Sequence, residues 1–227
     1  MGQKITLYFT QLRKRPVLQL ALAAAILYCS WPLGYILNPF VGTHDLASQL
    51  EAPHQPYNWL FIMMDVLAGL AVTLIAIMQI NKHSHSLVKW CIISYGIFGV
   101  LVALSALTPL NCNITADTCG PILRNPSLLI HGGASILSVG FLFLSTLAIG
   151  AAAFREHTRP AKLIFALMIS AWLFFGFGSL VELMFHDKGN GMQEYFITIC
   201  SISILLIISF IEHRQTVKIA TAEQTID

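Results

Sequence analysis

Three ionisable side chains sit inside otherwise apolar runs of this chain: Asp65, His131 and Glu182. An Asp at the centre of a membrane helix costs about 2.5 to 3.5 kcal/mol on insertion scales, so such groups face a bundle interior or water and mark functional positions by default. A carboxyl and an imidazole can exchange protons, hydrogen-bond a polar headgroup or ligate a metal. Glu182 and His186 are four residues apart and share a helix face, and His131 and Asp65 would complete a four-ligand set, although the spacing is not that of an HExxH helix. Asp65 and His131 alone supply the acid and base that an intramembrane hydrolase or transferase needs. Ser135 follows His131 by one helical turn, which is poor geometry for a nucleophilic pair. Further polar groups gather at the ends of the same runs: Glu51 and His54 before Asp65, and Gln193 after Glu182. No phosphate loop, dinucleotide fingerprint or haem-attachment motif is present, and the residues assign no cofactor.

The elements that carry these groups are legible from hydropathy. The 227 residues are 56% hydrophobic and 11% charged, with mean hydropathy +0.71, too little polar surface for a soluble domain of this size. Six runs of about 20 residues can each cross a hydrocarbon layer as a helix. They are residues 17–37, 59–80, 90–110, 128–154, 163–185 and 192–211. Each is continuously apolar rather than alternating, so helices and not barrel strands satisfy the backbone. The expected fold is all-α: residues 1–16 as an amino-terminal segment, 17–211 as one six-helix membrane domain, and 212–227 as a tail. Pro32 should tilt or stop the first helix. The spacings of Ala21 with Ala25, Gly69 with Thr73, and Ala134 with Ser138 mark helix contacts built from small residues.

Charge sets an orientation. Eleven of the thirteen Lys and Arg residues fall in the terminal segments and alternate loops, while Arg124 and Lys188 alone occupy the other loops. Cations concentrate on the cytoplasmic side, so both termini are expected there. Asp65, His131 and Glu182 then all lie in the outer half of the bilayer, and the inner half is expected to hold no equivalent. Cys112 and Cys119 bracket a loop on the outer side, where a disulfide is expected. The dispersed basic residues form no nucleic-acid groove; the expected partners are membrane lipids.

The run Ser48-Gln49-Leu50-Glu51-Ala52-Pro53-His54-Gln55-Pro56-Tyr57-Asn58-Trp59-Leu60, followed by Asp65-Val66-Leu67-Ala68-Gly69, resembles the opening signature of the prokaryotic membrane family domain-of-unknown-function 998. Two more stretches are similar to it: the loop with Pro109, Cys112 and Cys119 leading to His131, and Gly189-Asn190-Gly191-Met192-Gln193. The likeness extends over most of residues 34–211. The family pattern usually continues with Gln-Arg at the sixth helix where this chain has Gln193-Glu194, a charge reversal. The resemblance implies a six-helix bundle in a prokaryotic cytoplasmic membrane and implies no activity.

Together these features point to a multi-pass protein with an outward-facing polar cleft, built from Asp65, His131, Glu182, His186, Glu51, His54 and Gln193, that binds a lipid headgroup or lipid-linked small molecule. The alternatives are the hydrolase or transferase using Asp65 and His131, with or without metal on His131, Glu182 and His186; a small transporter; and a structural membrane protein.

Overall fold

Proline stands in the first turn of four helices, where its missing N–H is unneeded and its fixed φ suits the helix. In the computed structural model, which describes residues 15–38, 47–53, 55–112, 125–155, 159–185 and 192–224, these are α1 (Pro16–Tyr28), α2 (Trp31–Leu37), α5 (Pro126–Arg155) and α6 (Arg159–Phe185). The others are α3 (Asn58–Ile80), α4 (Ser86–Leu107) and α7 (Met192–Gln224), with a short 3-10 turn at Ala47–Glu51. The described residues form no strand. Five helices are each long and apolar enough to cross a membrane, and α1 with α2 makes up to a sixth. The chain is a multi-pass membrane protein.

Where the sequence suggests one first span over residues 17–37, the structure has two helices bent by 46°. Pro32 cannot donate to the Tyr28 carbonyl, and its ring would press against that oxygen, so α1 ends there. The Cys29 amide closes on the Ala25 carbonyl at 3.1 Å, and α2 starts two residues later. At the other end of the chain, α7 runs beyond Ile211 as far as Gln224.

Consecutive helices pack antiparallel around α4 and α7. α3 and α4 meet backbone to backbone at Gly69 and Gly99, and a Cβ built on Gly69 would strike the Gly99 carbonyl oxygen. Thr73 lies in the same contact and donates to its own helix at Gly69 O, 2.9 Å away. Small residues allow this approach where no hydrophobic drive operates between helices in lipid. α4 and α5 keep a constant register: Cys91 Sγ meets Ser145 Oγ at 3.2 Å and Ser105 Oγ meets His131 Nδ1 at 3.3 Å, fourteen residues along on one helix and fourteen back on the other. The core between them is apolar, with Tyr95, Phe98, Leu142 and Ile204 almost fully buried. Leu67, Leu70, Leu74 and Ile77 of α3 and Leu163, Leu167 and Phe174 of α6 point outward, as lipid-facing side chains do.

Candidate functional site

At the end of the bundle where α3 begins, hereafter the Glu51 end, the helices enclose a cavity of about 710 Å³. Its walls are mainly aromatic and aliphatic, and Glu51, Asp65 and His131 line it together. Each arrives by a different local device.

Glu51 is delivered by the 3-10 turn. Leu50 is buried against Phe61 and Leu37 and presses on Gly34, where a Cβ would overlap its methyl groups. Gln49 Nε2 donates to the Cys112 carbonyl at 3.3 Å and ties the turn to the segment after α4. Asn38 Nδ2 donates to Gln55 Oε1 at 2.7 Å on the opposite flank. Tyr57, in the left-handed region at φ 60, then swings the chain into α3. The turn folds inward, and Glu51 ends only 5% exposed.

Asp65 lies two turns into α3, and its carboxyl comes near enough to that of Glu51 for the two to interact. Two carboxylates offer only acceptors, so a hydrogen bond between them would need a shared proton. Burial pushes the Glu51 carboxyl up from 4.5 to about 7, with the hydrogen bond to Asp65 acting in the opposite sense. The second Asp65 oxygen, Oδ1, is buried and has no hydrogen-bond partner.

His131 sits in the second turn of α5, whose start is capped by Asn125 Oδ1 accepting the Leu128 amide at 3.2 Å. Its Nδ1 lies 3.0 Å from the Ser105 carbonyl and 3.2 Å from the Thr108 carbonyl. Pro109, four positions after Ser105, has no N–H to return to that oxygen, which accepts instead from the Thr108 amide at 3.1 Å and hydroxyl at 3.2 Å and also faces the His131 ring. Both partners only accept, so Nδ1 carries the proton, and in the neutral ring Nε2 is an acceptor. The arrangement opposes a Ser–His nucleophilic pair. Ser105 Oγ and Ser135 Oγ, 2.7 Å apart, cluster on the Nδ1 side, which is already protonated and has no lone pair to activate them.

Of the residues expected at the site, Asp65, His131 and Glu51 meet at the cavity. The backbones of Glu182 and Gln193 fall in α6 and α7, but their side chains lie outside the described residues, as do His54, His186 and Cys119. Among the described residues no three His, Cys, Asp or Glu side chains come close enough to hold a metal ion. Cys112 is buried, and the free thiols of the described residues are Cys29, Cys91 and Cys200.

Several polar residues at this end were not singled out from sequence. Ser105 is the partner of His131, and the antiparallel register of α4 and α5 was the signal that could have found it. Tyr35 donates to Glu194 Oε1 at 2.8 Å and Trp31 to Thr198 Oγ1 at 3.3 Å, fastening α2 to α7 across the mouth. The opposite end of the bundle, expected to hold no ionisable equivalent, is corrected by one pair: the fully buried Gln79 donates to Glu212 Oε1 at 2.6 Å. Glu212 lies one residue past the expected end of the last span, which is why the count of intramembrane charges overlooked it.

Fold and cavity thus define an α-helical multi-pass membrane protein with a polar group cluster buried toward one end. The chain matches the family described as "Protein of unknown function (DUF998)" over residues 21–211 and belongs to it. No curated protein matches it. No solved structure does either.

Proposed function

We propose that the cavity at the Glu51 end is a binding site for the polar head of a membrane amphiphile, in a cytoplasmic-membrane protein whose two termini face the cytosol. The observation that carries this reading is the meeting of Glu51, Asp65 and His131, from three separate segments, in one largely apolar chamber. Buried polar groups in such a setting are costly unless a partner satisfies them. The volume is within the roughly 300 to 1,000 Å³ usual for small-molecule sites. The distribution of Lys and Arg supports an outward-facing mouth. A Cys112 to Cys119 disulfide belongs to the same reading: it would brace the segment whose Cys112 carbonyl holds Gln49, and Cys112 is not one of the free thiols.

Native mass spectrometry of the full chain released from membranes tests the reading. Wild type should retain a lipid adduct that is lost in Gly140→Phe, which fills open space in the cavity wall, and reduced in His131→Ala. Equal adducts on wild type and both variants would sink it. A fluorescent reporter at the carboxyl terminus should light in the cytosol; a periplasmic signal would put the cavity on the wrong side.

A further inference from the structure

The walls of the cavity constrain what can occupy it. Glu51 and Asp65, from two different elements, bring two carboxyl groups to the same wall of the chamber. Among the described residues, no Lys or Arg lines the chamber beside them. An uncompensated charge in low dielectric is expensive, and a bound cation removes the expense. Asp65 Oδ1 is buried with no donor, and the hydrogen bonds of the His131 ring are all made by Nδ1. The chamber thus presents an unpartnered carboxyl oxygen, and the Ser179 hydroxyl on its wall is likewise buried without a partner. Tyr28, Trp31 and Phe61 line the same chamber, Phe61 one turn from Asp65, and aromatic faces favour cationic nitrogen.

A second geometric fact concerns the side wall. α5 and α6 touch toward the far end, where Gly150 packs on Phe165, and midway, where the Phe143 and Trp172 rings lie 5.3 Å apart. Nearer the Glu51 end they part. A Cβ on Gly132, Gly133 or Gly140 would meet nothing within 4 Å. Ile136 on α5 and Phe177 on α6 both line the cavity, yet they are 71% and 69% exposed on the outside of the bundle. The chamber is thus open sideways toward lipid, between two apolar helix edges.

We infer that the occupant is an amphiphile with a single positively charged nitrogen head, seated on the Glu51 and Asp65 carboxyls, whose hydrocarbon chain leaves between α5 and α6. The inference rests on the amphiphile reading above and narrows it to one charge class. Anionic phosphate heads would meet the carboxyl pair with like charge. Neutral sugar heads would satisfy acceptors but leave the charge in place.

Trp172 reports occupancy cleanly. It lines the cavity and is 4% exposed, so probes dissolved in surrounding detergent do not reach it. In the full chain with Trp31, Trp59 and Trp90 replaced by Phe, two probes are compared in maltoside micelles: 11-bromoundecyl-trimethylammonium and 11-bromoundecyl phosphate. The ammonium probe should quench Trp172 saturably and at about tenfold lower concentration than the phosphate probe. Asp65→Asn should abolish that preference, and Glu51→Gln serves as the second variant should the first fail to fold. Equal quenching by both probes, lost in Gly140→Phe, would overturn the cationic head while leaving an amphiphile cavity. A preference for ammonium that survives in a folded Asp65→Asn or Glu51→Gln protein would also overturn it. Absence of saturable quenching by either probe would overturn both readings.

Discussion

The two ends of this bundle are made from the same apolar residue types and are assembled differently. Toward the Gln79 end, helices approach until side chains interlock: Phe165 meets Phe210 edge to face at 5.5 Å, Ile207, Ile208 and Ile211 are essentially fully buried, and Ser145 bonds the Cys91 carbonyl at 2.9 Å. Gln79 is paired there with Glu212, while His85 Nδ1 just before α4 is buried without a hydrogen-bond partner. Toward the Glu51 end the helices separate, glycines face open space, and a carboxyl oxygen has no partner. Close packing is what lipid-embedded helices gain most from, because lipid tails are as apolar as Leu. A bundle that gives up such packing at one end only, and lines the gap with carboxyl and imidazole groups, is shaped for something that is not itself.

Glycine substitutions break this comparison most sharply. Gly69→Leu, forced against the Gly99 carbonyl, should cost about 3 kcal/mol or more and abolish a monodisperse folded peak in size exclusion. A well-folded Gly69→Leu protein would show that the crossing is looser than described.

Acidity acts next. Glu51 holds its proton more tightly in the folded chain than its ordinary value of 4.5 allows, so its contribution to stability is fully present below that pH and is lost as pH rises through about 7. Thermal midpoints should fall between pH 5 and 8, by up to about 3 kcal/mol of stability. Glu51→Gln should flatten the profile; the carboxyl of Asp65 and the phenol of Tyr28 are the titratable neighbours that remain. A wild-type midpoint that rises over this range would reverse the assignment.

At the other end, Gln79→Leu removes one internally satisfied hydrogen bond and should cost about 1 kcal/mol by chemical or thermal unfolding in micelles, with probe binding at Trp172 unchanged. Smallest is Gly133→Ala. With nothing within 4 Å of the added methyl, it should stabilise the protein by about 0.5 to 1 kcal/mol through helix propensity alone. Destabilisation there would mean the gap beside α5 is filled in the membrane by another part of the protein.

The membrane spans were legible because lipid imposes a simple rule on composition, and the break at Pro32 was legible because proline chemistry is local. Asp65 and His131 could be picked out for the same reason, as polar groups in runs that exclude them. What could not be read was which group Asp65 would meet. Sequence reasoning set it opposite His131, but the 3-10 turn folds inward on Leu50, and that depends on Gly34 being bare, a contact across sixteen residues of sequence. The tautomer of His131 likewise follows from where α4 stops and from Pro109 just beyond, and it emerges only once α4 and α5 are set in register.

The kink between α1 and α2 has a consequence for solvation. Carbonyls in the last turn of α1 lose the amides that a continuous helix would have offered them, and hydrocarbon cannot replace those amides. Tyr28 and Ser30, on either side of the kink, both border the chamber. The Ala25 and Ser30 carbonyls still accept amides, from Cys29 and from Leu33 and Gly34, so only the carbonyls between them lose a helical partner. Any guest entering sideways from oil would therefore find a polar break in the wall beside it, and not hydrocarbon alone.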